Sequence, residues 1–320
     1  MTTPVKAALP PAIFLMGPTA SGKTAATIAL YQEFPLEIIS VDSALVYRGM
    51  DIGTAKPDAD TLRQAPHHLI DLITPLEQYS AAQFARDALS LMHAAIEKGR
   101  VPLLVGGTML YFNALQHGLS QLPEADQDVR AAIEAEAATH GWPAMHAQLA
   151  KIDPAVAAKI QPNDAQRIER ALEVYRISGQ SMSALRAQSS KHELPFNILK
   201  IALMPSERAV LHQRIADRFQ LMLEQGFIEE VQQLLALYPQ LTSESPSMRC
   251  VGYRQTLAYL NGEINLKTLG EQGVFATRQL AKRQLTWLRG MSDVQVLDCL
   301  SNSWINELAI KIRSSYLDYS

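Results

Sequence analysis

The segment from Gly17 to Thr24, which reads GPTASGKT, constrains the fold of this chain more than any other stretch. It satisfies the pattern G-x-x-x-x-G-K-[ST], follows the apolar run Ala12–Met16, and precedes an alanine-rich stretch typical of a helix. Backbone N–H groups in such a turn, together with the N-terminus of the following helix, form a site for anions. The segment therefore predicts a strand, a phosphate-binding loop and a helix, with a phosphorylated ligand whose kind it does not specify.

Four short apolar runs predict buried strands of a parallel sheet. They are Ala12–Met16, Leu36–Ser40, Val101–Val105 and Ile198–Leu203. Stretches with helical spacing of apolar residues separate them, as in Ser80–Gly99. Strands that alternate with helices indicate an α/β protein with a P-loop-type doubly wound parallel sheet.

Residues 119–195 predict a helical insertion domain in this α/β core, because the sequence between Gly118 and Pro195 contains no run typical of a strand. The core then comprises residues 1–118 and 196–300, with helices from Glu207 to about Gly290. Residues 301–320 carry no motif. We interpret them as a C-terminal tail, which could be a terminal helix or a frayed end.

Composition excludes several classes of protein. Two cysteines are too few for a disulfide framework, and no pair of them has the spacing of zinc ligands. No apolar run reaches the ~20 residues needed to span a bilayer. The 29 Lys and Arg residues against 32 Asp and Glu residues give a net charge of −3, which neither requires nor excludes a nucleic-acid partner. We expect a cytoplasmic monomer that has no membrane partner.

Asp42 ends the second predicted strand, and more than one role is open for it. Nucleoside triphosphatases place a carboxylate at a strand end to organise Mg²⁺ and water. The third strand here ends in Gly106-Gly107-Thr108, which contains no carboxylate. Asp42 could instead face an acceptor and take its proton. An N-cap or an indirect role around Mg²⁺ is the alternative.

Three clusters of basic residues suggest contact with a polyanion. They lie at Arg249–Arg254, at Arg278–Arg289 and at Gln166–Arg170, and the first two include Tyr253 and Trp287. Basic and aromatic residues together favour folded single-stranded loops with exposed bases over a duplex. For each cluster alone, a solvated surface is the simpler interpretation.

Two smaller features also carry alternatives. Arg214 and Arg218 lie one helical turn apart and could face a phosphate group, or form surface ion pairs with Glu207 or Asp217. His67-His68 are adjacent, which is poor spacing for a metal site, so we expect a loop role.

Seven motifs together resemble one known family over nearly the whole chain, from about Ile13 to Gly290. In order they are GPTASGKT, SVDSALVYRGMDIGTAKP, PHHLIDL, LVGGTMLY, NDAQRIERALEVY, RCVGYRQ and ATRQLAKRQLTWLRG. They resemble the bacterial members of the tRNA isopentenyltransferase family. The resemblance implies transfer of a dimethylallyl group from dimethylallyl diphosphate to the N6 amine of the adenosine 3′ to the anticodon in tRNA, with release of diphosphate.

The resemblance also implies roles for individual residues and partners. The implied partners are the tRNA anticodon stem-loop, whose target base is flipped out of its stack, and dimethylallyl diphosphate, with Mg²⁺ at Thr24. The implied catalytic residues are Asp42, as the base, and Thr19, Lys23 and Arg218. The implied diphosphate-binding residues are Gly17, Pro18, Thr19, Ala20, Ser21, Gly22, Lys23 and Thr24. The implied tRNA-binding residues are Asp42, Ser43, Ala44, Leu45, Thr108, Arg130, Gln166, Arg167, Ile168, Glu169, Arg170, Arg249, Cys250, Val251, Gly252, Tyr253, Arg254, Lys282, Arg283, Gln284, Leu285, Thr286, Trp287, Leu288 and Arg289.

Two functions of other classes stay open on the sequence alone. A P-loop kinase acting on a nucleotide or small metabolite explains Gly17–Thr24 equally well, but it does not explain the three basic clusters. A non-catalytic RNA-binding regulator with a vestigial phosphate loop is the other. Transfer of a γ-phosphate would favour the first, and tRNA binding without prenyl diphosphate binding would favour the second.

Overall fold

The chain divides into two compact units in the computed structural model, which describes residues 9–118, 122–123, 125–188 and 194–317. The first unit combines Met1–Leu115 with Leu194–Ser320, and the second is Gln116–Glu193. The entry of the predicted insertion near Leu119 lies outside the described residues. Among the residues that are described, no helix is both long enough and apolar enough to cross a membrane.

The first unit is built on a six-stranded sheet in the order β3-β2-β4-β1-β5-β6, and every neighbouring pair is parallel. The strands are β1 (Pro11–Met16), β2 (Leu36–Val41), β3 (His67–His68), β4 (Val101–Gly106), β5 (Asn197–Met204) and β6 (Gln295–Asp298). The four predicted strands are all present, and the predicted α/β class is confirmed. The two edge strands were not predicted, because two and four residues are too few to show a hydrophobic period. His67 and His68 form one of them, β3, so the expectation of a loop at these residues is wrong.

Helices cover both faces of this sheet, as a doubly wound fold requires. In the first unit they are α1 (Lys23–Glu33), α2 (Ala59–Gln64), α3 (Ala81–Glu97), α4 (Met109–His117), α10 (Arg208–Glu224), α11 (Phe227–Leu237), α12 (Tyr253–Leu260), α13 (Leu266–Arg289) and α14 (Trp304–Leu317). Side chains of β1 alternate between the faces: Phe14 packs in one core with Phe84 of α3, and Leu15 packs in the other with Leu30 of α1.

The last helix, α14, decides between the two alternatives left open for residues 301–320. Its side chains Leu308 and Ile312 are fully buried in the same core as Leu15 and Leu30. Residues 304–317 therefore form a terminal helix that packs on the core, which is the first of the two alternatives. They enter the core through Leu308 and Ile312, which lie one helical turn apart on the same face of α14.

The second unit is helical and has its own hydrophobic core. Its helices are α5 (Gln127–His140), α6 (Trp142–Ile152), α7 (Pro154–Ala157), α8 (Ala165–Ser178) and α9 (Met182–Gln188), and its described residues contain no strand. Ile133, Leu149, Ile168 and Leu172 are each at most 1% exposed and pack together. The Asp164 side chain caps α8 by accepting a hydrogen bond from the N–H of Arg167.

Candidate active site

The Gly17–Thr24 segment connects β1 to α1, as the pattern predicts, and its glycines are needed for steric reasons. Gly22 caps α1 with φ of +88°, in the left-handed region that only glycine adopts easily. A Cβ atom at this position would also lie 3.2 Å from the indole ring of Trp304 in α14. At Gly17 a Cβ atom would lie 2.7 Å from Ser21 Oγ. The turn is therefore so tightly packed that a side chain at Gly17 or Gly22 would displace its neighbours.

Polar groups of this loop and its neighbours are arranged to receive an anion. Ser21 Oγ is buried and has no hydrogen-bond partner among the described residues. Lys23 Nζ donates to the carbonyl oxygens of Gly17 and Pro18, at 2.9 and 2.7 Å. Arg218 of α10 donates to Thr19 Oγ1. Burial lowers the pKa of Lys23 to about 8, although the charge of Asp42 opposes this shift.

Gln284 of α13 holds the phosphate loop against the end of β4. Its Oε1 accepts a hydrogen bond from Thr19 N at 2.9 Å, and its Nε2 donates to the oxygen of Gly107 at 3.0 Å. The side chain is only 8% exposed. Both ends of its amide are used inside the protein, and the side chain lines the cavity. A contact between Gln284 and tRNA stays a prediction.

Asp42 follows β2 and faces the same region as Lys23 and Arg218. Its Oδ1 accepts a hydrogen bond from Ala44 N at 2.8 Å, so the carboxylate caps a tight turn and not a helix. Burial raises the pKa of Asp42, while the Ala44 N–H and the charges of Lys23 and Arg218 act in the opposite direction. A carboxylate with a raised pKa is a better proton acceptor than an ordinary one.

Asp42 and the phosphate loop line one cavity of about 580 Å³, which lies within the size range of small-molecule sites. Its charged lining comes from Lys23, Asp42, Arg214 and Arg218. Among the described residues, neither arginine forms an ion pair with Glu207 or Asp217. The apolar lining includes Leu45, Val105, Ile215, Phe219, Met222, Val251 and Leu280. The cavity can therefore hold a ligand with an anionic end and a hydrocarbon end.

Part of this lining was not predicted from the sequence as a site. Gly53, Thr54, Ala55, His67 and Met222 all face the cavity. The Nδ1 atom of His67 lies 2.6 Å from the oxygen of Ala65, whereas His68 pairs with Glu37. Gly53, Thr54, Ala55 and His67 lie within two of the seven motifs, but the motifs do not show that these residues and Met222 meet at one cavity.

A protein-only metal centre is absent from the residues that the structure describes: no group of three or more His, Cys, Asp or Glu side chains could hold an ion. Thr24 lies in the first turn of α1 at the cavity, with an exposed side chain. An ion at this position would take its remaining ligands from an anionic substrate or from water.

The basic clusters of the first unit combine exposed and buried positions. Exposed side chains are those of Arg249, Arg254, Lys282, Arg283, Thr286, Trp287 and Arg289. Tyr253 is fully buried and donates to Glu230 at 2.5 Å, so the expectation that its ring stacks on RNA bases is wrong. Gly252, Leu285 and Leu288 are also buried, and a contact between them and tRNA stays a prediction.

Three other positions of these clusters also differ from a simple exposed face. Arg278 is half-buried and donates to the oxygen of His212, so it does not continue the face of Lys282. Cys250 and Val251 line the cavity. Burial raises the pKa of the Cys250 thiol to about 12, which keeps it in the neutral form.

Two of the predicted tRNA-binding residues of the second unit, Arg130 and Arg170, pair with one buried carboxylate. Glu173 is fully buried and pairs with Arg130 at 2.8 Å and with Arg170 at 2.5 Å. Desolvation opposes ionisation of Glu173, but the hydrogen bonds from the two arginines lower its pKa on balance. Ile168 is fully buried, so its assignment as an RNA contact is wrong for its side chain. Gln166 and Arg167 are exposed, and Glu169 is half-buried.

The other positions predicted to contact tRNA lie at or beside the mouth of the cavity. Ala44 and Leu45 line it, whereas Ser43 is exposed. The Ser43 N–H donates to Thr108 Oγ1 at 3.0 Å, which ties the turn after β2 to the end of β4.

Comparison with known proteins identifies a single family. The family model described as IPP transferase matches residues 45–291. The tRNA dimethylallyltransferase of Methylobacillus flagellatus is 64% identical over 291 residues, covering 91% of this chain and 92% of that protein. The enzyme of the same name from Thiobacillus denitrificans is 60% identical over 294 residues, covering 92% and 93%.

Solved structures lead to the same family. The tRNA isopentenylpyrophosphate transferase of Bacillus halodurans superposes with a TM-score of 0.70 and 37% identity, covering 97% of this chain and 99% of that one. A eukaryotic dimethylallyltransferase acting on tRNA superposes with a TM-score of 0.82 and 27% identity, covering 97% and 80%.

Proposed function

The chain belongs to the IPP transferase family, and on this premise we propose that it transfers a dimethylallyl group from dimethylallyl diphosphate to the N6 amine of the adenosine 3′ to the anticodon in tRNA. One observation carries the proposal. A phosphate loop, a half-buried carboxylate with a raised pKa and an apolar lining all face the same cavity. A kinase needs the first of these features but has no use for the third.

The phosphate loop binds the diphosphate in this proposal. As the allylic C–O bond breaks, negative charge builds on the departing oxygen, and fixed positive groups stabilise it. Lys23 and Arg218 supply that charge, while the Ser21 hydroxyl and the N–H groups at the start of α1 donate hydrogen bonds. Thr19 is held from both sides, by Gln284 at its backbone and by Arg218 at its hydroxyl.

We also propose that Mg²⁺ accompanies the diphosphate. The orphaned hydroxyl of Ser21 and the exposed hydroxyl of Thr24, both at the start of α1, fit a site whose other ligands come from the substrate. When bound, the ion would neutralise part of the charge of the leaving group.

Asp42 acts as the general base. The N6 nitrogen forms its bond to the allylic carbon, the C–O bond to diphosphate breaks, and the N6 proton passes to the Asp42 carboxylate. An aromatic amine is a weak nucleophile, so alignment of the two substrates provides much of the acceleration. The apolar lining, with Phe219 and Met222, holds the hydrocarbon end and keeps water from the reacting carbon.

The tRNA would reach the cavity with its target base flipped out of the stack. The exposed basic residues of α13, Lys282, Arg283 and Arg289, are our candidates for phosphate contacts, and Trp287 beside them is 44% exposed and can stack on a base. We propose that the protein does this as a monomer in the cytoplasm.

The direct test is mass spectrometry of nucleosides from a tRNA incubated with the protein, Mg²⁺ and dimethylallyl diphosphate. We expect one adenosine to gain a single C5H8 unit, and the same tRNA with guanosine at that position to gain none. Transfer of the γ-phosphate of ATP to an acceptor, with no prenylation, would overturn the proposal in favour of a kinase.

A further inference from the structure

The segment from Asp51 to Pro57 forms a wall of the cavity without belonging to a helix or a strand. Gly53, Thr54, Ala55 and Pro57 face the cavity directly. Irregular backbone of this kind must be held in place by other groups, because its N–H groups lack the partners that a helix or sheet provides. We refer to residues 51–57 as the wall segment.

One buried carboxylate binds three consecutive N–H groups of the wall segment. Oε2 of Glu230, on α11, accepts from Asp51 N at 2.9 Å and from Ile52 N at 2.6 Å. Oε1 accepts from Gly53 N at 3.2 Å and from the Tyr253 hydroxyl at 2.5 Å. Glu230 is 9% exposed, and it does not itself line the cavity. A buried carboxylate with four donors is stable only while those donors stay in place.

A layer of aromatic rings lies behind the same segment. A Cβ atom at Gly53 would lie 2.1 Å from the ring of Phe227 and 2.6 Å from the ring of Tyr253, so the backbone touches both. Phe227 in turn packs edge-on against Phe219, with ring centroids 6.3 Å apart, and Phe219 belongs to the apolar lining of the cavity. One packed layer of rings therefore sets both the position of the wall segment and the shape of the apolar part of the cavity.

We propose that Glu230 is a positioning residue that fixes the wall segment and thereby limits the length of the prenyl group that the cavity accepts. This inference rests on the proposed prenyl transfer. With the three N–H groups bound, the wall cannot move outward, and a ten-carbon chain meets it. With one of them released, the wall can yield, and the longer donor fits better.

The test is the Glu230→Gln variant, because glutamine keeps the size of the side chain but offers only one acceptor oxygen. Whichever way its amide turns, at least one N–H of the wall segment loses its acceptor. The measured quantity is the ratio of kcat/KM for dimethylallyl diphosphate to kcat/KM for geranyl diphosphate. We expect this ratio to fall about tenfold. Inhibition by inorganic pyrophosphate should stay unchanged, since none of the hydrogen bonds between Glu230 and the wall segment involves the phosphate loop.

A matched control is Glu229→Gln, the same substitution at the exposed neighbouring position, which should leave the ratio unaltered. Tyr253→Phe removes one of the four donors and keeps the ring, so it should lower the ratio in the same direction by less. This variant decides the question if Glu230→Gln does not fold. An unchanged ratio in folded Glu230→Gln, or in Tyr253→Phe if only that protein folds, overturns the inference. Wild-type protein that transfers neither prenyl group overturns the proposed function itself.

Discussion

The pKa values of Lys23 and Asp42 are shifted in opposite directions from their ordinary values, and the cause is the same. Burial disfavours the charged form of each, so the pKa of the lysine falls and that of the carboxyl rises. Each also lies within electrostatic range of the other and of Arg218. Lys23 and Asp42 can therefore lose or gain a proton near neutral pH more readily than exposed residues of the same kind could.

Asp42→Asn should lower turnover by about 10²–10⁴-fold, the usual contribution of a general base. Asparagine keeps an oxygen for the Ala44 N–H, so the turn should survive and the Kd for tRNA should change by no more than a few fold. Single-turnover kinetics and a filter-binding assay measure the two effects. Asp60→Asn, the same substitution at an exposed position outside the cavity, is the control. A near-normal rate for Asp42→Asn would refute the role of base.

The binding of inorganic pyrophosphate should weaken as the pH rises through about 8, the pKa to which burial lowers Lys23. Below that pH the ammonium is present and attracts the anion, and above it the neutral amine does not. Because pyrophosphate also titrates in this range, the slope is compared with that of Lys23→Arg, whose guanidinium stays charged. Calorimetric titrations from pH 7 to pH 10 measure it, and equal slopes for the two proteins would contradict the prediction.

Helix α13 serves two purposes through its two faces. Gln284 points inward and joins the phosphate loop to Gly107, whereas Lys282 and Trp287 point to solvent. In the proposed function, neighbouring residues of one helix therefore act on different ligands. For Lys282 and Gln284 this division follows from the helical period, which places residues two positions apart on different sides of the helix.

Substitutions of Lys282 and Gln284 should affect the binding of different substrates, tRNA in the first case and the diphosphate in the second. Lys282→Ala should weaken tRNA binding and reduce the slope of log K against log salt by about 0.7–0.9, the value of one lost phosphate contact. Pyrophosphate binding should not change. Gln284→Ala leaves the N–H of Thr19 without its acceptor, so it should weaken pyrophosphate binding about tenfold and leave the salt dependence for tRNA intact. An unaltered salt slope in Lys282→Ala would show that Lys282 does not contact a phosphate group of the tRNA.

On the scale of the molecule, the sheet is completed by residues beyond the family-matched range of 45–291. Strand β6 pairs with β5, and α14 buries Leu308 and Ile312 against the sheet. Trp304, at the start of α14, lies against Gly22 of the phosphate loop. The C-terminal residues thus contribute both to the core and to the support of the site.

Deleting residues 291–320 should therefore leave a protein that is insoluble or unfolded. It removes Leu297, Leu308 and Ile312 from the core, each of which contributes about 1.5–3 kcal/mol by burial. The sum is comparable to the whole stability of an ordinary domain, about 5–15 kcal/mol. Thermal melts compare this protein with one that lacks only residues 318–320, which should melt like the full chain. A shorter protein that melts normally would show that α14 is dispensable.

The phosphate loop, Asp42 and the four central strands could be predicted from the sequence because each is encoded by a few consecutive residues. A glycine-lysine turn after an apolar run has the same backbone requirement in any fold, and a buried parallel strand needs only a short apolar run. Which residues of a motif contact tRNA is harder to predict, because a contiguous motif does not show which of its side chains are buried. Tyr253, Gln284 and Ile168 lie in basic stretches, yet their side chains are buried.

Local sequence therefore determined the chemistry of the anion site and the α/β class of this protein. Only the tertiary structure decided which side of each helix faces solvent, which residues line the cavity, and that Glu230 binds the wall segment 177 to 179 positions away. The physical reason is that a backbone conformation depends on neighbours along the chain, whereas burial and hydrogen-bond partners depend on which distant segments pack together.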